Sequence, residues 1–261
     1  QYVVWDGFTV RMRGVQMKGI LIESSTNIEV LNCTVEGNDI TNEPVQPHNQ
    51  DNHDGIRVDH SRDILIADCR IKNVVTQPMG GNSAGIKLYS NENVTIEHNE
   101  ISSNSCGIFD KFYGGKNTVI RRNLLYNNVA HLLTIQQPWA DPKIYENIFY
   151  NGAFVYDSGG TYSTSAQFYN NVIYNSGSVW GNTAFVARGG SSATTNFQFW
   201  NNIVYASGEH ISHRCENNRC VQISAHDFNA YFPQLRISVN VYGSAPRSYS
   251  SLASWQTSEG L

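Results

Sequence analysis

The segment PHNQDNHDGIRVDH gathers His48, Asp51, His53, Asp54, Asp59 and His60 within 14 residues. Asp51, Asp54 and Asp59 are oxygen donors of the kind a hard cation such as Ca²⁺ takes, and His48 or His53 can carry a proton near neutral pH. The spacing matches neither an EF-hand nor an HExxH motif, and a polar loop whose Asp side chains cap turns accounts for the same residues. Further on, the similar segments GIRVDH, GIKLYS and GIFDK place Arg57, Lys87 and Lys111 in turn. Cations stacked closely depress one another's proton affinity, which is how a lysine becomes a general base. A second cluster, EHISHRCENNRCVQISAHDF, holds His210, His213, Cys215, Cys220 and His226. Two thiolates and two imidazoles suit tetrahedral Zn²⁺, but the spacing fits no established finger. A disulfide from Cys215 to Cys220 is the preferred expectation there, with Cys106 left as a buried thiol.

The elements that must position these residues show themselves as a repeat. Gly7, Cys33, Cys69, Asn99, Asn123, Asn147, Asn171 and Asn202 each stand between two short alternating apolar runs, and 99, 123, 147 and 171 are spaced by 24. Alternation of period two over four or five residues means half-buried strands. A third run, GILIES, GIRVDH or GIKLYS, precedes the ladder residue, and Ile20, Ile56 and Ile86 each lie 13 residues before theirs. Three short strands per repeat, separated by Asn, Gly and Ser turns, describe one rung of a parallel β-helix. Asn at the ladder suits a sharp turn and lets stacked amides bond along the axis, while Cys33 and Cys69 are packed thiols in the same stack.

Interruptions of the repeat locate a groove. The steps 33 to 69, 69 to 99 and 171 to 202 are 36, 30 and 31 residues, and all the excess falls between a ladder residue and the next opening strand. The inserts TNEPVQPHNQDNHD, VTQPMGGNSA and SGSVWGNT are therefore expected on one rim, walling a groove over the opening strands' outer face. With Ile20, Ile56 and Ile86 inward, that face presents Leu21 and Glu23, Arg57 and Asp59, Lys87 and Tyr89, Phe109 and Lys111, and further along Asp157 and Arg188. Cations beside an aromatic platform suit an acidic polysaccharide, whose carboxylates need positive charge and whose rings stack.

Composition sets the outer bounds. The chain has 261 residues, 15% of them charged, and a net charge of −4, enough for one elongated all-β domain of about eight to ten coils over 1–261. Residues 236–261 read as an irregular C-terminal extension, with a short helix near SYSSLASWQ. No basic face invites nucleic acid and no apolar run approaches a membrane span. The chain opens inside a strand, YVVWDGFTV, as a piece of a longer protein would.

From YVVWDGFTV to NFQFWNNIVY the chain resembles the right-handed parallel β-helix proteins of the pectate-lyase-like superfamily. The tail SLASWQTSEGL is similar to the segment that often follows the last coils in bacterial members. The resemblance implies a monomeric, carbohydrate-active protein that is secreted, periplasmic or on the cell surface: a lyase, hydrolase, epimerase or adhesin. Asn52-His53-Asp54-Gly55 resembles the first polygalacturonase motif, but Ser83-Ala84 stands where the partner Asp pair would, so the two carboxyls of inverting hydrolysis are lacking. Gln46-Pro47-His48-Asn49 echoes the alginate epimerase motif. The lyase branch commonly sets Lys or Arg on adjoining rungs, with Ca²⁺, against a uronate carboxylate. Arg57, Lys87 and Lys111 match that arrangement, whereas the Arg expected one rung later is replaced by Ile135-Gln136. The expected activity is a polysaccharide lyase acting by β-elimination, with Arg57, Lys87, Lys111 and His53 catalytic. Tyr89, Glu23, Asp157 and Arg188 would bind substrate, and Asp51, Asp54 and Asp59 would hold Ca²⁺. The alternative is a glycan-binding or adhesion module without turnover.

Overall fold

A computed structural model describes residues 2–13, 17–37, 53–75, 82–111, 115–136, 141–157, 164–175, 183–188, 195–215, 222–225, 227–232, 234–241 and 245–259. Among them the strands fall into three sheets of nine, nine and ten, and each sheet takes every third strand of the chain. The first runs from Val3–Asp6 to Gln222–Ala225, and the second from Thr9–Arg11 to Ala230–Phe232. The third runs from Lys18–Glu23 to Ile237–Val241, where Arg247–Tyr249 adds the one antiparallel pairing among the described strands. The helix Leu252–Glu259 follows it and buries Trp255.

Parallel register stacks like on like. Val30, Ile66, Ile96, Ile120, Ile144, Phe168 and Phe199 are successive partners in the first sheet, all fully buried. The core turns from aliphatic to aromatic toward the C-terminal rungs, where Phe168 stacks on Phe154 and Phe199 at 4.7 and 5.2 Å between centroids. Because a rung cannot cover its own apolar face, each contributes stability chiefly through its neighbours.

The corner between the first and second sheets carries the ladder, with two corrections. The residues in the left-handed region are those just before the ladder: Asn32, Asp68, His98, Arg122, Glu146, Asn170 and Asn201, at φ 52 to 57. Gly7, at φ 74, belongs to that turning set, so Phe8 fills the ladder slot of its rung. The ladder amides instead point inward. Asn123 Nδ2 donates to Ile96 O at 2.9 Å and to Asn147 Oδ1 at 3.0 Å, and Oδ1 of Asn123 accepts from the Asn99 backbone at 3.0 Å. The stack extends to Asn229, and a shorter one, Asn104 on Asn128, lines the next corner. At this corner Asn32 and Arg122 turn the chain and bond on the outside, to Asp6 and Glu146, while the next residue bonds inward, so turning and inner laddering fall to adjacent residues.

Candidate functional site

The three inserts read from the sequence join the second sheet to the third, and most of their length lies outside the described residues, as do His48 and Asp51. The outer face of the third sheet beneath them is well defined. Its strands begin with a residue that precedes Gly or Leu: Asp54, Ala84, Cys106 and His131 in register. A Cβ on Gly55 would lie 2.5 Å from the next rung's Gly85 carbonyl, and one on Gly85 would lie 2.9 Å from that of Gly107. That close approach interrupts the pairing and turns the preceding side chains outward, beside the row Arg57, Lys87, Phe109.

The result is a network of charges outside the apolar lumen. Lys87 and Asp54 pair at 3.4 Å with both side chains wholly buried. Arg57, 16% exposed, reaches Asp54 at 3.5 Å and Asp59 at 3.0 Å, and Asp59 also meets His60 Nδ1 at 2.6 Å. The guanidinium lies 4.5 Å from the Tyr89 ring centroid. Lys87 Nζ is 5.6 Å from Tyr89 and 5.8 Å from Phe109, while Lys111 Nζ is 5.4 Å from Phe109. Asn82 joins the two lysines, accepting from Lys87 through its backbone carbonyl and from Lys111 through its side chain. Burial raises the Asp54 pKa against the pull of Lys87 and Arg57, and burial lowers that of Lys87 against the pull of Asp54. Their proton affinities thus converge, which suits proton exchange.

Several expected site residues lie elsewhere than on an open groove. Lys87 and Phe109 are outward from the lumen but buried. His53 is also buried: Nδ1 accepts the Met17 N–H at 3.1 Å, Ser83 donates to its carbonyl, and desolvation lowers its pKa. Nε2 of His53 has no hydrogen-bond partner among the described residues. Glu23 is exposed beside Asp59, and Tyr89 is half-buried. Asp157 and Arg188 are register partners in the same row, beyond Gln136. Asn82, Cys106 and His131 were not singled out as parts of the site. The residue before each GI or LL pair was the available signal for the latter two.

Among the described residues, several of the metal donors read from the sequence are engaged with other partners. Asp54 and Asp59 are committed to Lys87, Arg57 and His60, so a Ca²⁺ there would sit among cations, and no three acidic, His or Cys side chains converge among the described residues. His210 is buried with both ring nitrogens engaged, by Phe232 O at 2.7 Å and the Arg236 N–H at 3.2 Å, leaving no lone pair for Zn²⁺. His213 and Cys215 share a strand, and Cys220 lies outside the described residues. Cys33, Cys69 and Cys106 are buried, and burial pushes the thiols of Cys69 and Cys106 up to about 12. These three are packing groups rather than nucleophiles.

Three parallel sheets wound in rungs, with a charged outer face on one, define a β-helix solenoid. The chain matches the family model for the right-handed β-helix region over residues 18–232 and belongs to that family. No curated protein matches it. No helix among the described residues is long and apolar enough to cross a membrane.

Proposed function

We propose that this β-helix protein is a polysaccharide lyase acting on a uronate-containing polymer, with its site on the outer face of the third sheet. The observation that supports it most is Arg57, Lys87 and Lys111 on consecutive rungs, interleaved with Tyr89 and Phe109. Guanidinium and aromatic faces together match an acidic sugar. Burial of Lys87 changes the division of labour. Lys111, half-buried and opening the turn after Asp110, takes the base role, and the Asp54–Lys87 pair beneath holds Arg57 in place.

In this reading Arg57 neutralises the uronate carboxylate and so acidifies the C5 proton, which Lys111 removes. The electron pair forms the C4–C5 double bond, the C4–O bond breaks, and the leaving oxygen takes a proton from Tyr89. In this reading the protein acts outside cells, where such polymers lie. Arg57 is already paired with two carboxylates, and that favours a second reading, glycan binding without turnover.

Incubation with pectate, alginate and glycosaminoglycans, followed by ultraviolet absorbance of the unsaturated product, separates the two. Lyase action predicts absorbance that falls by 10²-fold or more (about the size of a lost general base) in Lys111→Ala. Binding with no absorbance on any of the polymers would leave only the second reading.

A further inference from the structure

We infer a second saccharide subsite at the corner where the third sheet turns into the first, a cleft of about 810 Å³. Its floor is built from the same turn on three rungs. Ser24, His60 and Ser90 take the left-handed conformation at φ 46, 46 and 50. Ser25, Ser61 and Asn91 then form a stack that satisfies itself. The Ser25 N–H donates to Ser61 Oγ at 3.1 Å, the Ser61 N–H to Asn91 Oδ1 at 2.9 Å, and Asn91 Nδ2 to Val58 O at 2.9 Å. That stack makes the floor rigid and leaves the flanking residues for a ligand.

At the next rung Lys116 stands at the same corner. The Lys116 N–H donates to Asn91 O, and its carbonyl accepts from the Asn93 N–H, both at 2.8 Å. Lys116 closes one end of the cleft. Four levels at the interstrand spacing make a trough roughly 14 Å long.

The lining has the chemistry of an acidic saccharide site. Ser24 and Ser90 offer hydroxyls, and Thr26 Oγ1, just under the floor, has no hydrogen-bond partner among the described residues. Arg62 makes no ion pair among the described residues and stands on the rim with His60 and with Lys116, which Glu92 holds at 3.1 Å. A guanidinium with both edges open takes a carboxylate or sulfate in two parallel bonds, while hydroxyls exchange bonds with sugar hydroxyls. The cleft also adjoins the proposed site. Asp59 touches Arg57 on the sheet face and His60 at the cleft. An acidic chain crossing the sheet face would continue round this corner. The choice of an acidic saccharide rests on the functional reading above, and the cleft and its free cation do not.

A two-armed experiment tests it. Titrating a uronate oligosaccharide into Lys111→Ala, slowed in cleavage, and into Lys111→Ala with Arg62→Ser measures binding. Cleavage of the polymer by the unaltered protein is followed in parallel. Arg62→Ser should weaken binding about tenfold, as loss of one charge-assisted pair implies, while Arg122→Ser, on another corner and paired with Glu146, should leave it unchanged. Cleavage with binding indifferent to Arg62 overturns the subsite and spares the lyase reading. Binding that depends on Arg62 without cleavage supports the subsite and overturns the elimination. Neither binding nor cleavage overturns both.

Discussion

Substituting Lys87 with methionine removes one member of a buried ion pair and keeps the volume of its stem. Asp54 is then left wholly buried, with Arg57 at 3.5 Å as its remaining charged neighbour. Breaking a buried pair from one side costs about 3–5 kcal/mol, and the residual Arg57 contact puts Lys87→Met near the lower end, at about 3 kcal/mol. The reverse change, Asp54→Leu, strands a buried ammonium that still has the Asn82 carbonyl, for a similar loss. Making both changes removes both desolvation penalties, so the double variant should lie within about 1 kcal/mol of the starting protein. The coupling is then about 5 kcal/mol, far beyond the scatter of independent sites.

Guanidinium unfolding of the four proteins measures this cycle, and thermal midpoints should show Lys87→Met lower by about 6–12 °C. A pH series adds an internal check. Asp54 has a raised folded pKa, so its favourable contribution is present at acid pH and lost as pH rises through that value. Lys87→Met should therefore regain stability on acidification. Additive single changes, or a Lys87→Met loss below 1 kcal/mol, would refute the view that this pair is a buried electrostatic unit supporting Arg57.

Other outcomes follow from the same geometry. Burial pushes His131 down to about 4, so its stabilising effect holds above its unfolded pKa and is lost as pH falls through 4. Asp110, pushed up to about 6, contributes stability at acid pH that is lost as pH rises through 6. The two effects, each about 3 kcal/mol, oppose each other between pH 4 and 6. Across that range Asp110→Asn should lose stability on acidification and His131→Gln on alkalinisation, and slopes of the same sign in both would contradict this. Asn123→Ala leaves the Ile96 carbonyl and the Asn99 N–H without their partner, for a loss of about 3 kcal/mol. The exposed amide pair Asn117–Asn93 should tolerate Asn117→Ala within about 0.5 kcal/mol in the same unfolding assay. Phe168→Ala should cost about 3–5 kcal/mol, since its ring stacks against several others in the aromatic half of the core.

The rungs were legible because each is written locally. Alternation assigned the strands, and the constant spacing from Ile20, Ile56 and Ile86 to the ladder aligned one rung with the next before any contact was known. The ladder was legible too, but not its division into a residue that turns and a residue that bonds, since both favour Asn. The shared outer face of Arg57, Lys87 and Lys111 followed from period two. Its burial did not, because whether an outward side chain meets solvent depends on what folds over it.

By itself, then, the sequence determined a three-stranded repeat, its register and the cations that share one outer face, all consequences of periodicity along a chain that winds over itself. Only the tertiary structure decided that Lys87 is spent on Asp54 while Lys111 stays half-buried, that His53 and His210 are enclosed, and that a hydroxyl-lined cleft opens at the neighbouring corner. Those outcomes depend on pairs 22 to 36 residues apart and on the exclusion of water, and local patterning encodes neither.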